Sequence, residues 1–235
     1  MDNLREIIGS WPGGTILDMA TGSGEFIPYL QILFPRLDDI IGVDLSISKI
    51  KKAGNQYRRA RRTRFAVMNG EKLGIKTGYF GTASITNSLH HLDDINKVLT
   101  EMKRVLKPGG MLMVFEMFSD HQSEQQISHV LAHHWWAEID RLTGKLHNET
   151  FTKDRLINIV EKVGLKKQTF TELEDSDPVD ERALTRIRFT IDNYNEKLEK
   201  LGNNELLIRR GKEIKERIDK IGFAWAKTLC AVGYK

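Results

Sequence analysis

The feature that most constrains this chain is a short apolar run that empties into glycines. Thr15-Ile16-Leu17-Asp18 leads through Met19, Ala20 and Thr21 to Gly22-Ser23-Gly24. An apolar run of this length bounded by a glycine turn reads as a buried strand. Glu25 to Phe34 then carries Phe26, Ile27, Leu30 and Leu33 on one side and reads as a helix, with Pro28 tolerated in its first turn. A strand, a glycine turn and a helix, in that order, set small residues at the carboxyl end of a strand. Open α/β sheets bind nucleotide-like ligands there.

The alternation continues. Ile40 to Asp44 is a second strand, and Ser46 is suited to cap a helix from Ile47 to Arg59. Arg64 to Met68 and Thr82 to Asn87 are the third and fourth strands. Asp93 to Leu106 has Ile95, Val98, Leu99, Met102 and Val105 at helical spacing, and Lys107-Pro108-Gly109-Gly110 is expected to stop that helix before a fifth strand, Met111 to Phe115. Thr152 caps a helix that Gly164 ends; Lys166 to Leu173 and Ala224 to Tyr234 are the last two strands. The pattern predicts a doubly wound, mostly parallel α/β sheet of seven strands covered on both faces. A length of 235 residues fits a single domain, 1–235, in which two largely helical segments, 119–150 and 176–222, are insertions.

The lone cysteine, Cys230, excludes a disulfide framework within one chain. Met1 to Glu6 lacks the basic lead of a signal peptide, and no run approaches the length of a membrane span. A cytoplasmic protein is expected. The net charge of +4 is mildly basic. Lys49, Lys51, Lys52, Arg58, Arg59, Arg61, Arg62 and Arg64 lie together without an acid among them, and Glu172 to Asp177 is the acidic counterweight. The basic run 49–64 reads as a solvated face, which makes a nucleic-acid partner unlikely.

The chemistry of the glycine turn separates two cofactor classes. A dinucleotide fingerprint needs G-x-G-x-x-G, but Gly22-Ser23-Gly24 is followed by Glu25, Phe26 and Ile27. Asp18, before the turn, would also face a pyrophosphate unfavourably. S-adenosylmethionine (SAM) has no phosphate and carries an ammonium and a sulfonium, both of which an acid favours. Asp44 ends the second strand, 20 residues after Gly24, where an acid accepts from ribose hydroxyls.

On these residues the chain resembles the class I SAM-dependent methyltransferases, in the small-molecule group that includes ubiquinone/menaquinone-biosynthesis enzymes. The resemblance runs from Thr15 to Gly110 and continues loosely beyond. Ala20 stands where the family's D/E-x-G-x-G-x-G motif has its first glycine. The resemblance implies a cofactor site of Asp18, Ala20, Thr21, Gly22 and Gly24, then Asp44 with Leu45 packing on adenine, Asn69-Gly70-Glu71 bordering adenine, and Asn87-Ser88 near the methionine part. Arg104 to Gly110 resembles the family's structural turn before the fifth strand.

The histidine-rich stretch is the least ordinary part of the chain. His129 and His133, and His134 and Glu138, are spaced i, i+4, but the H-E-x-x-H pattern is absent and no metal is expected. His133, His134 and Trp136 are candidates to line an acceptor pocket, and His91 and His134 are the candidate general bases. The expected function is transfer of a methyl group from SAM to a small-molecule acceptor, with the two insertions as a lid or as a homodimer interface. The alternatives are an RNA or protein methyltransferase that uses the basic face, and a SAM-binding regulator that does not methylate. Against amino-group methylation of macromolecules, the N-P-P-Y or D-P-P-Y motif is absent after the fourth strand.

Overall fold

The computed structural model describes residues 2–175, 179–200, 202 and 204–235. Ser176 and Asp177, the end of the acidic run, lie outside the described residues. The chain divides into two compact units. The first comprises Met1–Glu116, Ile157–Thr171 and Cys230–Lys235 and holds the sheet; the second comprises Met117–Leu156 and Glu172–Leu229 and is largely helical.

The strands are β1 (Ile16–Met19), β2 (Ile40–Asp44), β3 (Thr63–Val67), β4 (Phe80–Thr86), β5 (Leu106–Met117), β6 (Lys166–Leu173) and β7 (Thr228–Tyr234). They form one sheet in the order β3-β2-β1-β4-β5-β7-β6. All four residues of β1 are buried, as a central strand covered on both faces requires. The pairs β1–β2, β2–β3, β1–β4 and β4–β5 are parallel. β7 runs the other way. Its end bonds the start of β5 through Lys235 N–H to Gly110 O, and Phe118 N–H, just past β5, reaches Lys227 O just before β7. The strand order reverses between β1 and β4, so the crevice of a doubly wound sheet opens at their carboxyl ends.

Helices α1 (Asp2–Ile8), α2 (Ile27–Leu33), α3 (Ile47–Gln56) and α4 (Ile95–Val105) belong to the first unit. Ser46 caps α3 by accepting from Lys49 N–H, and Asp94 caps α4 through Lys97 N–H. Two expectations are corrected. Lys107 to Gly110 lies inside β5, not in a turn before it. The four residues bulge out of the pairing with β4, where Phe80 pairs with Leu106 and Thr82 with Met111, and a Cβ on Gly110 would lie 3.1 Å from Gly81 O. The last strand starts at Thr228, because Ala224 and Ala226 donate their N–H groups to Gln125 O and the His129 ring. Helix α1 was not foreseen.

The second unit packs α5 (Glu124–Leu142), α7 (Glu181–Lys200) and α8 (Glu205–Ile221) around one apolar core; α6 (Lys153–Glu161) straddles the boundary at Leu156. Ile187, Ile191 and Leu198 from α7 and Leu207, Ile214 and Ile218 from α8 meet Trp135 of α5. Trp135 donates its indole N–H to Leu207 O at 2.8 Å. Gly211 makes room for that ring: a Cβ there would lie 2.5 Å from it. Among the described residues no helix is long and apolar enough to cross a membrane.

Candidate functional site

The parallel registers bring the carboxyl ends of β1 to β4 into line. Met19 lies beside Val43 and Ile85, and Asp44 beside Val67. Four of the predicted site segments leave the sheet along this one edge: the glycine turn after β1, Asp44-Leu45 at and after β2, Asn69 to Glu71 after β3, and Asn87-Ser88 after β4.

The glycine turn is held from both sides. Asp44 accepts from Gly22 N–H at 2.9 Å through one carboxylate oxygen and from Ser46 N–H at 2.8 Å through the other. One side chain thus locks the turn after β1 to the start of α3. Gly22 and Gly24 have φ of 59° and 88°, in the left-handed region that glycine tolerates. Tyr57 donates its hydroxyl to Gly24 O at 2.8 Å, and a Cβ on Gly24 would meet the Tyr57 ring at 2.7 Å.

Ala20 also has a left-handed backbone, with φ of 54°. The substitution noted in the motif is therefore a matter of backbone conformation, beyond the size of the side chain. A left-handed alanine costs about 1–2 kcal/mol, partly offset by its smaller unfolded-state entropy. Ala20→Gly is expected to stabilise the protein by about 0.5–1 kcal/mol in urea denaturation. Destabilisation by that variant would show that the Ala20 methyl group makes a packing contact worth more than the strain.

Asp18 lies beneath the turn, 1 % exposed. Its oxygens accept from the Thr21 hydroxyl at 2.5 Å and the Ser84 hydroxyl at 3.2 Å. Burial pushes its carboxyl up to about 6, against the lowering effect of those two hydroxyls. Leu45, beside Asp44, is 71 % exposed, an unusual position for a leucine next to a buried strand. The side-chain oxygen of Asn69 accepts from Glu71 N–H at 2.9 Å, and Glu71 lies 3.8 Å from the Lys97 ammonium. Gly70 packs on Met19, whose sulfur would lie 3.0 Å from a Cβ there.

The segment after β4 is held by a residue that sequence reasoning missed. Asn87 takes φ of 42°, which asparagine accommodates better than most residues, and a single 3-10 turn, Leu89–His91, follows. Glu116, near the end of β5 and 1 % exposed, holds this turn. One of its oxygens accepts from Ser88 N–H at 3.0 Å and Leu89 N–H at 2.8 Å; the other meets His90 Nδ1 at 2.5 Å. The one signal in the sequence is a single acid within the apolar run Met111 to Phe118.

The histidine candidates separate. His91 is exposed on the 3-10 turn, its ring 4.2 Å from that of His90. In the helical unit, His134 Nε2 bonds the Thr150 hydroxyl at 2.8 Å, Trp136 packs against the helical core, and His133 Nε2 faces His147 Nε2 at 3.3 Å. In each i, i+4 pair one member is engaged elsewhere: His129 accepts from Ala226 N–H, and Glu138 bonds Arg210. Burial lowers His129 to about 4, so it is neutral at physiological pH.

Residues 17–114 match the family model described as a methyltransferase domain. Over 122 residues the chain is 30 % identical to the ubiquinone/menaquinone biosynthesis C-methyltransferase UbiE of Shewanella sp. (strain ANA-3), covering 51 % of this chain and 48 % of that protein. The chain thus spans about half the length of the curated relatives it matches. Two solved structures share the fold. Phosphoethanolamine N-methyltransferase 2 of Haemonchus contortus, solved in complex with S-adenosyl-L-methionine, has a TM-score of 0.62 at 16 % identity over 99 % of this chain and 51 % of that one. A SAM-dependent methyltransferase from Methanosarcina mazei has a TM-score of 0.61 at 15 % identity, over 97 % and 96 %. The strand order seen here, with its crevice between β1 and β4, is the scaffold on which the matched stretch sits, and that stretch, residues 17–114, is similar to the methyltransferase domain family.

Proposed function

We propose that this chain binds SAM along the carboxyl edge of β1 to β4 and transfers its methyl group to a small-molecule acceptor. The observation that carries the reading is Asp44 with Leu45: a carboxylate fixed by two backbone N–H groups, beside a leucine left 71 % exposed. Each oxygen of Asp44 keeps a lone pair for a ribose hydroxyl, and Leu45 offers an apolar face to an adenine ring. Gly22 and Gly24 let the backbone approach a ligand closely. Asp18 supplies negative charge beneath the turn, and Asn69, Glu71, Asn87 and Ser88 border the same edge.

SAM supplies a methyl group on a sulfonium, so the transfer is an in-line displacement. The chain's own part is alignment and exclusion of water. The Asp44 clamp fixes the turn after β1, and Glu116 fixes the turn after β4. In this reading the helical unit, residues Met117–Leu156 and Glu172–Leu229, selects the acceptor.

Calorimetry with SAM and with S-adenosylhomocysteine tests the premise. Asp44→Ala removes two charge-assisted hydrogen bonds to ribose, about 3 kcal/mol together, and is expected to weaken both ligands about a hundredfold. An Asp44→Ala affinity within threefold of the parent would move the cofactor site elsewhere. A metabolite-library screen with methyl-labelled SAM then identifies the acceptor. Label appearing only on added RNA or protein would overturn the small-molecule assignment.

A further inference from the structure

The helical unit contains a histidine arrangement that the cofactor site does not use. His133, on α5, and His147, in the loop after it, point their Nε2 atoms at each other across 3.3 Å, with ring planes 82° apart. Behind His147, Asp140 Oδ2 lies 3.1 Å from Nδ1. The other oxygen of Asp140 accepts from Lys145 Nζ at 3.0 Å and is approached by the Tyr194 hydroxyl at 3.5 Å. Asp140 and His147 are each 8 % exposed. Burial alone would raise the Asp140 carboxyl, but bonds from His147 and Lys145 hold it below the usual carboxylate range.

With Nδ1–H of His147 donated to Asp140, its Nε2 presents a lone pair towards His133. The separation of 3.3 Å is long for an N–H···N hydrogen bond, whose related N–H···O contacts cluster near about 2.9–3.0 Å. It matches the edge of a tetrahedron: two imidazoles at about 2.0–2.1 Å from one zinc ion lie about 3.3–3.4 Å apart. A carboxylate on the far nitrogen of a ligating histidine is the common support for such a site. The neighbouring histidines have other partners, His129 at Ala226 N–H and His134 at Thr150, so the pairing comes from the fold and not from composition.

We propose that His133 and His147 bind a first-row divalent cation of the zinc class through Nε2, with Asp140 as the positioning residue behind His147. Water or an oxygen of a bound small molecule completes the coordination. The proposal does not rest on the cofactor reading, since neither histidine is among the predicted cofactor residues.

Co²⁺ is the probe, titrated into the untagged, metal-stripped full chain at pH 7.5 and followed in the visible spectrum. One saturable equivalent with tetrahedral bands, displaced by Zn²⁺, is expected. His133→Ala and His147→Ala should each abolish it. Asp140→Asn should weaken it ten- to a hundredfold. His121→Ala, at an exposed histidine, should leave it unchanged. Paramagnetic broadening of the His133 and His147 ring resonances in the unmutated chain gives a readout that does not depend on a variant folding. Absence of saturable binding, binding that survives either alanine variant, or broadening confined to other histidines overturns the proposal.

Discussion

Replacing Asp18 by asparagine is expected to make the protein more stable and its cofactor binding weaker. The Asp18 carboxyl is 1 % exposed, and burial raises it from 3.8 to about 6. Between those two values the folded protein holds a proton that the unfolded chain has lost. Stability therefore falls as pH rises through that window and is flat above it. The shift corresponds to about 3 kcal/mol of penalty for ionised Asp18 at neutral pH. Asp18→Asn keeps the shape and discards the charge. Urea denaturation at pH 7.5 should show a gain of up to about 3 kcal/mol, and the slope of stability between pH 4 and about 6 should flatten.

The penalty has a functional counterpart under the SAM assignment. A ligand bearing an ammonium and a sulfonium favours ionised Asp18, so SAM affinity should rise with pH up to and just above 6 and then level off. Asp18→Asn should lose that rise and bind SAM at least tenfold more weakly at pH 7.5. S-adenosylhomocysteine, without the sulfonium charge, should lose less. An asparagine variant that is less stable at pH 7.5, or that binds SAM as the parent does, would remove Asp18 from this role.

Glu116→Ala should have the largest effect on the fold. It strips the partner from Ser88 N–H, Leu89 N–H and the His90 ring at once, all at a position 1 % exposed. Removing one side of a buried, hydrogen-bonded pair costs about 3–5 kcal/mol. For a protein of this size that lowers the melting temperature by roughly 6–20 °C. Glu116→Gln keeps an acceptor for the two N–H groups and should recover about half of the loss. SAM affinity should follow the same ranking, because Asn87 and Ser88 are tethered by the same carboxylate. If the alanine variant loses less than about 1 kcal/mol, the turn after β4 is held by something other than Glu116.

Why Asp18 and Asp44 were legible and Glu116 was not is a matter of what stands beside each in the sequence. The first two stand at or near the ends of local strand runs, and their hydrogen bonds reach residues whose placement follows from the alternation of strands and helices. Glu116 bonds residues 26 to 28 positions away, through backbone groups that carry no sequence signature. The same limit explains the misplaced start of β7. Ala224 to Lys227 has strand-like composition, but its backbone is claimed by Gln125 and by the side chains of His129 and Gln122, roughly a hundred residues upstream. Ala20 was noticed for its size; its left-handed backbone is visible only in three dimensions. The three helices of the second unit were foreseen as helical territory, whereas the separation of His133, His134 and Trp136 onto different partners follows from α7, α8 and the loop after α5.

The route of the chain through its two units has a consequence for how the protein is made. The path passes from one unit to the other four times, at 116–117, 156–157, 171–172 and 229–230. A ribosome completes β1 to β5 first, and β7, which covers the open side of β5, follows only about a hundred residues later. For the interval in which about a hundred residues are synthesised, β5 presents an unpaired edge of almost wholly apolar sequence, Met111 to Phe118. At typical elongation speeds of about 5–20 residues per second, that interval lasts on the order of 5–20 s. The nascent chain is thus most exposed to aggregation after its first five strands have formed and before its sheet can close.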